Sequence, residues 1–542
     1  MRLPRLAPAA LATALVLGGS APAPGAPPSP PLTLPGDAAA STVPADRTTW
    51  LVGARPGGRA DAVAARHGAR RVVPGVYVVA RAWARELAGA LRARRLLTFA
   101  EPNRRARRMQ SPPATAPDPL SAGAGWRNAV VDQALAPPPV TSASPLLALV
   151  DAELDGSHPE FASGNVSTLG GLPVTDAHGT ETAAIAAAPK NDVGILGIWP
   201  GMRALNVPLP SEILCADTTA GVARAVDAGA AVINMSYGAP DLCFAEYAQL
   251  QLATAKGITL VAAAGNEFGQ GNPLEFPASL PHVLTVAAVR SDLRSAYFSN
   301  ANAAIDLSAP GVAILTAIPS QFDDDGNRDG YAAVTGTSYS APMVAAAAAW
   351  VRAVRPQLSV DQVAQVLRLS ARDLDRRGWD PATGFGLLSV GAALARRAPA
   401  ADPLEPNDDI VWVDGRALGR PRPAIWSGGP PRRLRALLDQ YEDPADVYRV
   451  RLPPRARLRI SVLQRFGDAD VAAFTRSASS IADDEQLIGR SRRSGRRKDT
   501  LTLVNPSRRL RLAYLEVYID RAARGLDSGY ELSVRRVRRA RR

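Results

Sequence analysis

The sequence predicts an α/β protein: a mainly parallel sheet flanked by helices, preceded by a small α/β unit and followed by a β-sandwich domain. Two observations support this prediction. Between residues 145 and 289, near-continuous apolar runs of strand length alternate with helix-like stretches, which is typical of parallel strands buried on both faces. After residue 398 the apolar residues recur with a period of two, which is typical of antiparallel strands with one solvated face.

The N-terminus has the features of a secretory signal peptide. Arg2 and Arg5 precede an apolar run over residues 6–18, and small residues follow. This run is too short to span a bilayer, and no later apolar run is long enough. We therefore expect a secreted protein, extracellular or periplasmic, without a transmembrane segment. Residues 1–26 are assigned to the signal peptide and the Pro/Ala-rich residues 27–46 to a linker.

Three further domains follow this leader. Residues 47–103 are expected to form the small α/β unit, with strands in "TWLVGARP" and "GVYVVAR" and helices in "RADAVAARHGA" and "WARELAGALRARR". The basic, Pro-rich stretch 104–119 is predicted to be an exposed linker that proteases cleave easily. The parallel-sheet domain is assigned to residues 120–398 and the β-sandwich to 402–538.

Three polar residues lie at the ends of predicted strands in the parallel-sheet domain. Asp151 ends "PLLALVD", Ser236 lies in "AAVINMSYG", and Asn266 ends "ITLVAAAGN". Functional residues of open α/β sheets collect at the carboxyl ends of the strands. We therefore expect the functional site at this edge.

The formal net charge of +13 does not by itself predict nucleic-acid binding. All but three of the basic residues are arginines, and they are spread along the chain without interleaved aromatic residues. A nucleic-acid-binding domain concentrates its basic residues on one face. We therefore expect no nucleic-acid partner, and we interpret the terminal "RRVRRARR" as a solvated tail.

Histidine is scarce, which narrows the choice of a general base. His67 belongs to the small unit, and His158 and His282 stand beside Pro in predicted loops. His178 opens a predicted helix in "DAHGTETAAIAAA". Hydrolysis by a serine hydroxyl needs a base, an acid that orients the base, and donors for the developing oxyanion. A lone Asp, His, Asn or Ser is more simply a cap or turn residue, so the whole set has to be considered together.

The segments "LALVDAELDGSHPEF", "DAHGTETAAIAA", "INMSYG", "VAAAGNE" and "VTGTSYSAP" occur in the order seen in subtilisin-like serine proteases. Over residues 145–395 the chain thus resembles the subtilase family, peptidase family S8. The resemblance implies that Asp151 orients the imidazole, that His178 is the general base and then the general acid, and that Ser338 is the nucleophile. Asn266 and the Ser338 backbone N–H would form the oxyanion hole, without a required cofactor.

The same resemblance implies two walls of a substrate cleft. The edge segment, which would pair with the substrate backbone by strand addition, consists of Ser236, Tyr237 and Gly238. The wall of the pocket for the side chain preceding the scissile bond consists of Ala263, Ala264 and Gly265. Two positions are open for Glu267: at the pocket rim, favouring basic or polar side chains, or at the protein surface.

The sequence departs from the family pattern beside the expected site. Ala152 and Glu153 stand where Ser/Thr-Gly is usual, and Glu181 replaces the second His of His-Gly-Thr-His. Tyr339 and Ser340 follow the serine where Met and Ala are common. Glu153 is expected to add negative charge near the Asp–His pair. The departures keep an alternative open, a weak or inactive subtilisin-fold protein that binds peptides or surfaces.

Two sets of residues have alternative interpretations. Asp323, Asp325, Asn327 and Asp329 alternate in "QFDDDGNRDGY", as in short Ca²⁺ loops, but the usual bidentate Glu is missing, so the loop is either a structural Ca²⁺ site or a solvated hairpin turn. Cys215 and Cys243 are either a disulfide, which an oxidising compartment favours, or two buried thiols.

Both flanking domains resemble known accessory domains. Residues 47–103 resemble the family's inhibitory propeptide, an intramolecular inhibitor, although an ordinary N-terminal domain is the alternative. The segments "EPNDD" and "YEDPADVYRVRLPP" resemble the bacterial pre-peptidase C-terminal domain, with Asp443 and Asp446 in D-x-x-D-x-Y. The resemblance implies a monomeric serine endopeptidase, made as a zymogen, that acts on proteins or peptides.

Overall fold

The computed structural model describes residues 45–108, 125–131, 135–191, 193–402, 404–439, 443–493, 497–519 and 527–537. The predicted signal peptide lies outside these residues, as do most of the two predicted linkers. The described chain divides into two compact units. One contains Thr48–Pro102 and the chain from Asp402 onward, and the other contains Ser41–Arg47 and Asn103–Ala401. None of the helices in the described ranges has the length and apolar character needed to span a membrane.

The small α/β unit has six elements in chain order. They are β1 (Ala45–Ala54), α1 (Gly58–Arg66), β2 (Arg70–Val73), β3 (Val76–Ala80), α2 (Arg81–Ala93) and β4 (Leu97–Arg108). The strands follow the order β4-β1-β3-β2, with β3 antiparallel to both β1 and β2. In α2 the buried residues Ala84, Leu87, Ala88 and Leu91 recur at helical spacing, and they pack into the core of this unit.

Two strands of this unit were not predicted, and both linker boundaries shift. β2 reads "RRVV", which lacks an alternating apolar pattern, and β4 contains Pro102 and four arginines. β1 begins at Ala45, inside the predicted linker 27–46, and β4 continues through residues 104–108 of the predicted linker 104–119. Backbone pairing with other strands, described below, makes residues 104–108 part of a sheet, and charge and Pro content do not reveal such pairing.

The second unit contains the parallel-sheet domain. Its first elements are α3 (Gly125–Val130), β5 (Leu147–Asp151), β6 (Val166–Thr168), α4 (His178–Ala187), β7 (Ala204–Pro208), β8 (Ile213–Leu214), α5 (Cys215–Asp227), β9 (Val232–Met235), β10 (Tyr237–Gly238) and α6 (Phe244–Ala255). The remainder are β11 (Thr259–Ala263), β12 (Val283–Val289), β13 (Leu307–Pro310), β14 (Ile314–Ala317), β15 (Tyr331–Val334), α7 (Thr337–Val354), α8 (Val360–Ser370) and α9 (Val390–Ala395).

Seven strands form one parallel sheet in the order β13-β12-β11-β9-β5-β7-β6. Every residue of β5, β7, β9, β11 and β12 is buried, which explains their continuous apolar sequences. α7 is buried from Thr337 to Val351, and its run of alanines lets it lie close to the sheet. The predicted α/β fold with a mainly parallel sheet flanked by helices is confirmed.

The C-terminal region is a β-sandwich, as predicted. Its elements are α10 (Ile410–Val413), β16 (Arg432–Asp439), β17 (Ala445–Leu452), β18 (Arg457–Phe466), β19 (Ala469–Thr475), β20 (Leu487–Ser491), β21 (Asp499–Val504), β22 (Arg511–Ile519) and β23 (Asp527–Val537). They form two four-stranded sheets, β16-β23-β18-β21 and β17-β22-β19-β20, whose paired strands are antiparallel. Apolar residues from both sheets form one buried core.

Candidate active site

Three of the predicted site residues lie at the carboxyl ends of neighbouring strands. β11, β9 and β5 are adjacent in the sheet. Asp151 is the last residue of β5, Ser236 directly follows β9, and Asn266 lies three residues beyond β11. Because the strands are parallel, these ends meet at one edge of the sheet, where a site is expected.

Asp151 is buried at the end of β5 and holds the ring of His178 at the start of α4. Its Oδ1 lies 2.5 Å from His178 Nδ1, and its Oδ2 accepts a hydrogen bond from Thr182 Oγ1 at 3.0 Å. The backbone N–H of Ala152 donates to Oδ1 at 2.7 Å. With these donors around it, the carboxylate has a fixed orientation and favours the tautomer with the proton on Nδ1. His178 Nε2 is then the basic atom.

The close approach of α4 to β5 depends on Gly179. A Cβ atom at this position would lie 2.2 Å from the carbonyl oxygen of Ala152, which no side chain can accommodate. The backbone N–H of His178 donates to Asp176 Oδ1 at 3.0 Å, which satisfies one of the free N–H groups at the helix start. The "AHG" sequence therefore sets the position of His178 relative to Asp151.

Ser338 lies at the beginning of α7, between two residues that contact the other site residues. The preceding Thr337 donates hydrogen bonds to Asn266, and the following Tyr339 ring has its centroid 5.6 Å from that of His178. Ser338 Oγ donates to the carbonyl oxygen of Ser236 at 3.2 Å, and Ser236 Oγ donates to the Ser338 carbonyl at 2.9 Å. The first turn of α7 is thus joined to the ends of β9 and β11.

The side-chain amide of Asn266 is held in one orientation. Its Oδ1 accepts hydrogen bonds from the backbone N–H and from Oγ1 of Thr337, each at 3.0 Å. Its Nδ2 is buried and has no hydrogen-bond partner among the residues that the structure describes. A buried amide donor left without a protein acceptor is costly unless a ligand supplies the acceptor. The geometry is that expected of a donor set in place for a developing oxyanion.

The predicted edge segment is paired with a strand of the same chain. Tyr237 and Gly238, which form β10, pair antiparallel with the backbone of Arg108 and Arg107. On the other side of that strand, Arg105 and Ala106 pair with β8. Residues 105–108 therefore lie extended between β8 and β10, at the edge where a substrate backbone was expected to add as a strand.

Side chains reinforce this extended segment. Asn103 Oδ1 accepts the backbone N–H of Ala216 at 2.8 Å, and Arg104 donates to Asp241 Oδ2 at 2.9 Å. Burial raises the pKa of Glu246 to about 7, against the opposing hydrogen bonds from Tyr237 and Thr218. The bond from the Tyr237 hydroxyl is 2.6 Å long and fixes the side chain of the edge segment. No sequence pattern pointed to Glu246, because its partner is set by packing.

Cys215 and Cys243 form a disulfide, with a Cα–Cα distance of 5.9 Å. Cys215 directly follows β8, and Cys243 lies five residues after β10. The bond therefore joins the segments that follow the two strands flanking residues 105–108. Of the two alternatives left open by the sequence, the structure contains the disulfide.

The predicted pocket wall is buried at the end of β11. Ala263 and Ala264 have exposed fractions of 0% and 2%, and Gly265 has a φ of +102°, which a side chain would strain. The carboxylate of Glu267 accepts the backbone N–H of Asn266 at 2.8 Å. Glu267 thus stabilises the turn that carries Asn266, and its part in a substrate pocket stays a prediction.

Glu153, one of the departures from the family pattern, has its hydrogen-bond partners in β6 and in the chain after it. Its carboxylate accepts hydrogen bonds from Thr168 Oγ1 at 2.7 Å and from the backbone N–H groups of Gly171 and Leu172 at 3.1 and 3.0 Å. These donors hold the carboxylate toward the loop after β6, and the expected effect of its charge on the Asp–His pair stays a prediction. Glu153 organises that loop.

The departures in the nucleophile segment have hydrogen-bond partners of their own. Tyr339 donates its hydroxyl proton to Glu181 Oε2 at 2.8 Å, so two residues that depart from the family pattern contact each other. Ser340 Oγ lies 3.1 and 3.0 Å from the carbonyl oxygens of Ala309 and Pro310. Both additional polar groups on α7 are therefore satisfied within the protein.

The loop proposed for Ca²⁺ connects the antiparallel strands β14 and β15. Asp323 Oδ2 accepts the backbone N–H of Gly330 at 2.7 Å, and Asn327 Nδ2 donates to Asp329 Oδ2 at 2.5 Å. The Asp325 side chain accepts the backbone N–H of Asn327. These bonds are those of a hairpin turn, and the Ca²⁺ interpretation stays a prediction without support from this geometry.

A group of acidic residues in the C-terminal sandwich is better suited to a hard cation, and the sequence interpretation missed it. One carboxylate oxygen from each of its members lies within 4.8 Å of those of the others; the members are Asp402, Glu405, Asp443 and Asp446. Burial first, and then repulsion among these carboxylates, raises the pKa of Asp446 well above its ordinary value. Such a cluster fits the oxygen ligands that Ca²⁺ prefers.

The comparisons with known proteins agree with this geometry. Residues 144–386 match the profile of the subtilase family. Subtilisin DY from Bacillus licheniformis is 32% identical over 254 residues, which cover 45% of this chain and 89% of that protein. The family match and the subtilisin relative place the parallel-sheet domain in a class of serine proteases. The chain belongs to the subtilase family.

Another relative extends the likeness beyond this domain. Fervidolysin from Fervidobacterium pennivorans is 28% identical over 304 residues, which span 49% of this chain and only 43% of fervidolysin. Its crystal structure, described as that of a keratinolytic enzyme related to subtilisin, superposes with a TM-score of 0.57 at 19% identity. That superposition covers 84% of this chain and 85% of fervidolysin, and it supports the fold alone.

Proposed function

We propose that the chain is a secreted serine endopeptidase, made as a zymogen, that cleaves peptide bonds through an acyl-enzyme on Ser338. The observation that carries the proposal is the contact of 2.5 Å between Asp151 Oδ1 and His178 Nδ1, and the orientation of the Asn266 amide by Thr337 adds to it. The family match and the subtilisin relatives support it.

In the proposed reaction, His178 Nε2 takes the proton of Ser338 Oγ as the oxygen attacks the carbonyl carbon of the substrate. Asp151 stabilises the imidazolium that forms, as it holds the Nδ1 proton. The oxyanion accepts hydrogen bonds from Asn266 Nδ2 and from the Ser338 backbone N–H. His178 then protonates the leaving amine. In the second half of the reaction, His178 takes a proton from water as the water attacks the acyl group, and it returns that proton to Ser338 Oγ.

Zymogen inhibition is proposed from the pairing of residues 105–108. This segment occupies the edge at β10 where a substrate backbone would add as a strand. While it stays there, an incoming peptide has no free edge. Removal of the chain up to a point beyond Arg108 would open the cleft, and cleavage is proposed in the part of the predicted linker 104–119 that follows β4.

A phosphonofluoridate label tests the catalytic proposal. We expect secreted, processed protein to be labelled stoichiometrically at Ser338 and the Ser338→Ala variant to lose casein hydrolysis by about 10⁶-fold in kcat. N-terminal sequencing of the processed form should give a start within residues 109–124.

Two results would contradict the proposal: no label on Ser338, or full activity in Ser338→Ala. Peptide binding that survives Ser338→Ala, in a wild type that neither cleaves casein nor takes the label, would instead support the alternative of a non-catalytic peptide-binding protein.

A further inference from the structure

Glu181 and Tyr339 stand where the family has other residues, and they meet inside the protein. Glu181 lies in α4, three residues after His178, and Tyr339 lies in α7, directly after Ser338. Three residues along a helix bring Glu181 and His178 to neighbouring positions on one face. The Tyr339 hydroxyl donates to Glu181 Oε2 at 2.8 Å. The hydrogen bond therefore joins the helix of the proposed base to the helix of the proposed nucleophile.

Both side chains are buried, with exposed fractions of 4% for Glu181 and 3% for Tyr339. The Tyr339 ring lies beside the His178 ring at a centroid distance of 5.6 Å. The backbone carbonyl of Glu181 also accepts a hydrogen bond from Thr316 Oγ1 in β14 at 2.8 Å. The pair is thus packed into the site and cannot rearrange without moving α4 or α7.

Four ionisable side chains act on the charge of Glu181. Asp151 in β5 and Asp176 before α4 repel its negative charge, whereas a protonated His178 attracts it. Tyr339 faces it from α7, and β14 and β7, which also pack against α4, carry no ionisable side chain. Burial raises the pKa of Glu181 to about 7, although protonated His178 and the Tyr339 hydrogen bond oppose this shift.

We propose that Glu181 and Tyr339 are positioning residues that fix α4 against α7, and that ionised Glu181 stabilises the His178 cation formed during catalysis. The inference rests on the proposed serine-protease function. The physical basis is that opposite charges stabilise each other. The positive charge on His178 favours the ionised form of Glu181, and ionised Glu181 favours the positive charge on His178 to the same extent. Both side chains are buried inside the protein, so the pair is expected to act on kcat more than on KM.

The sign of the pH dependence follows from the direction of the shift. Glu181 is protonated below pH 7 and ionised above it, so its help to His178 grows as the pH rises from 6 to 8. In Glu181→Gln this charge is absent at every pH. The ratio of wild-type to variant kcat should therefore rise by about tenfold between pH 6 and 8, which corresponds to one pKa unit of interaction.

Tyr339→Phe removes the hydroxyl and keeps the ring beside His178. We expect kcat to fall with KM nearly unchanged, and Glu181→Gln/Tyr339→Phe to be no slower than the worse single variant, because residues that act as a unit are not additive. Tyr331→Phe is the matched control, since Tyr331 donates to Glu160 at 3.0 Å as another Tyr–Glu pair. It should leave the pH profile of kcat unchanged.

Each kcat is normalised to the sites titrated by a phosphonofluoridate, which separates loss of folded enzyme from loss of rate. Three results would overturn the inference. They are a ratio of wild-type to Glu181→Gln kcat that stays constant across pH 6–8, a kcat loss in the double variant equal to the product of the two single losses, and a change in the pH profile of kcat in Tyr331→Phe. In all these cases the wild type still labels at Ser338. Absence of that label would contradict the proposed function instead.

Discussion

Asp151 in the parallel-sheet domain and Asp446 in the C-terminal sandwich are both buried carboxylates, but their surroundings differ. In the first, Asp151 accepts hydrogen bonds from Ala152 N–H and Thr182 Oγ1 and contacts His178 Nδ1. In the second, Asp446 accepts bonds from Asn407 and Tyr530 but also faces three other carboxylates. The difference indicates that hydrogen-bond donors of the protein offset the burial of Asp151, whereas Asp446 and its acidic neighbours need protons or a cation.

The pH dependence of the two regions should differ accordingly. Burial and repulsion raise the pKa values of Asp443 and Asp446 well above the ordinary range, so the folded sandwich binds protons more tightly than the unfolded chain does. Without a cation, the sandwich should therefore lose stability as the pH rises from the unfolded pKa toward the raised folded value. Asp151 is held by three hydrogen-bonding partners instead, and it is expected to keep its function at neutral pH.

The largest predicted effect tests whether the side-chain amide of Asn266 is oriented to donate to the oxyanion. Asn266→Ala removes the buried donor, and we expect kcat to fall by about 10²–10³, or about 2.7–4 kcal/mol in barrier height, with little change in KM. Steady-state kinetics on a peptide substrate measure this. Asn302→Ala, outside the site, is the control; a loss in kcat below tenfold for Asn266→Ala would contradict the oxyanion role.

The next effect concerns the disulfide, which lies in the parallel-sheet domain. Cys215 and Cys243 are 28 residues apart in sequence, so replacing both by Ala should lower the free energy of unfolding by about 3.5 kcal/mol. Since the bond joins segments next to β8 and β10, KM should also rise for long peptides that pair with both strands. Denaturant melts and kinetics with long and short substrates measure the two effects.

The disulfide prediction has an internal control. A thiol reductant should lower the stability of the wild type toward that of the double variant and leave the variant unchanged. An equal rise in KM for short and long peptides would contradict the assignment to the extended cleft, because short substrates do not reach β8.

The smallest effect tests the sandwich. Ca²⁺ at about a hundredfold excess over its Kd should raise the free energy of unfolding by about 2.7 kcal/mol relative to chelator. Asp443→Asn/Asp446→Asn should abolish this response, whereas Asp325→Asn/Asp329→Asn in the β14–β15 loop should keep it. Calorimetry with Ca²⁺ or EGTA measures it; no response in the wild type, or loss of the response only in the loop variant, would contradict the acidic-cluster assignment.

Much of the fold could be predicted because its signals are local. The continuous apolar runs of β5, β9 and β11 and the period-two runs of β18 reflect the faces that each strand buries. β2 and the end of β4 were missed because "RRVV" and "NRRARR" have no apolar period and owe their conformation to backbone pairing.

The candidate site was predicted to a similar extent. The order of the Asp151, His178, Asn266 and Ser338 segments pointed to these residues, and the structure places Asp151 against His178 and Asn266 against Thr337. The hydrogen bonds that Glu153 accepts from Gly171 and Leu172 were not predicted, because the sequence does not show which loop folds back onto this residue.

The sequence by itself determined the α/β class, the sandwich and the candidate catalytic residues, because each depends on residue type, period and order along the chain. Only the tertiary structure decided that Glu181 meets Tyr339, that residues 105–108 lie between β8 and β10, and that four carboxylates gather in the sandwich. These contacts join residues far apart in sequence. Their energies come from burial and from partners that packing alone brings together.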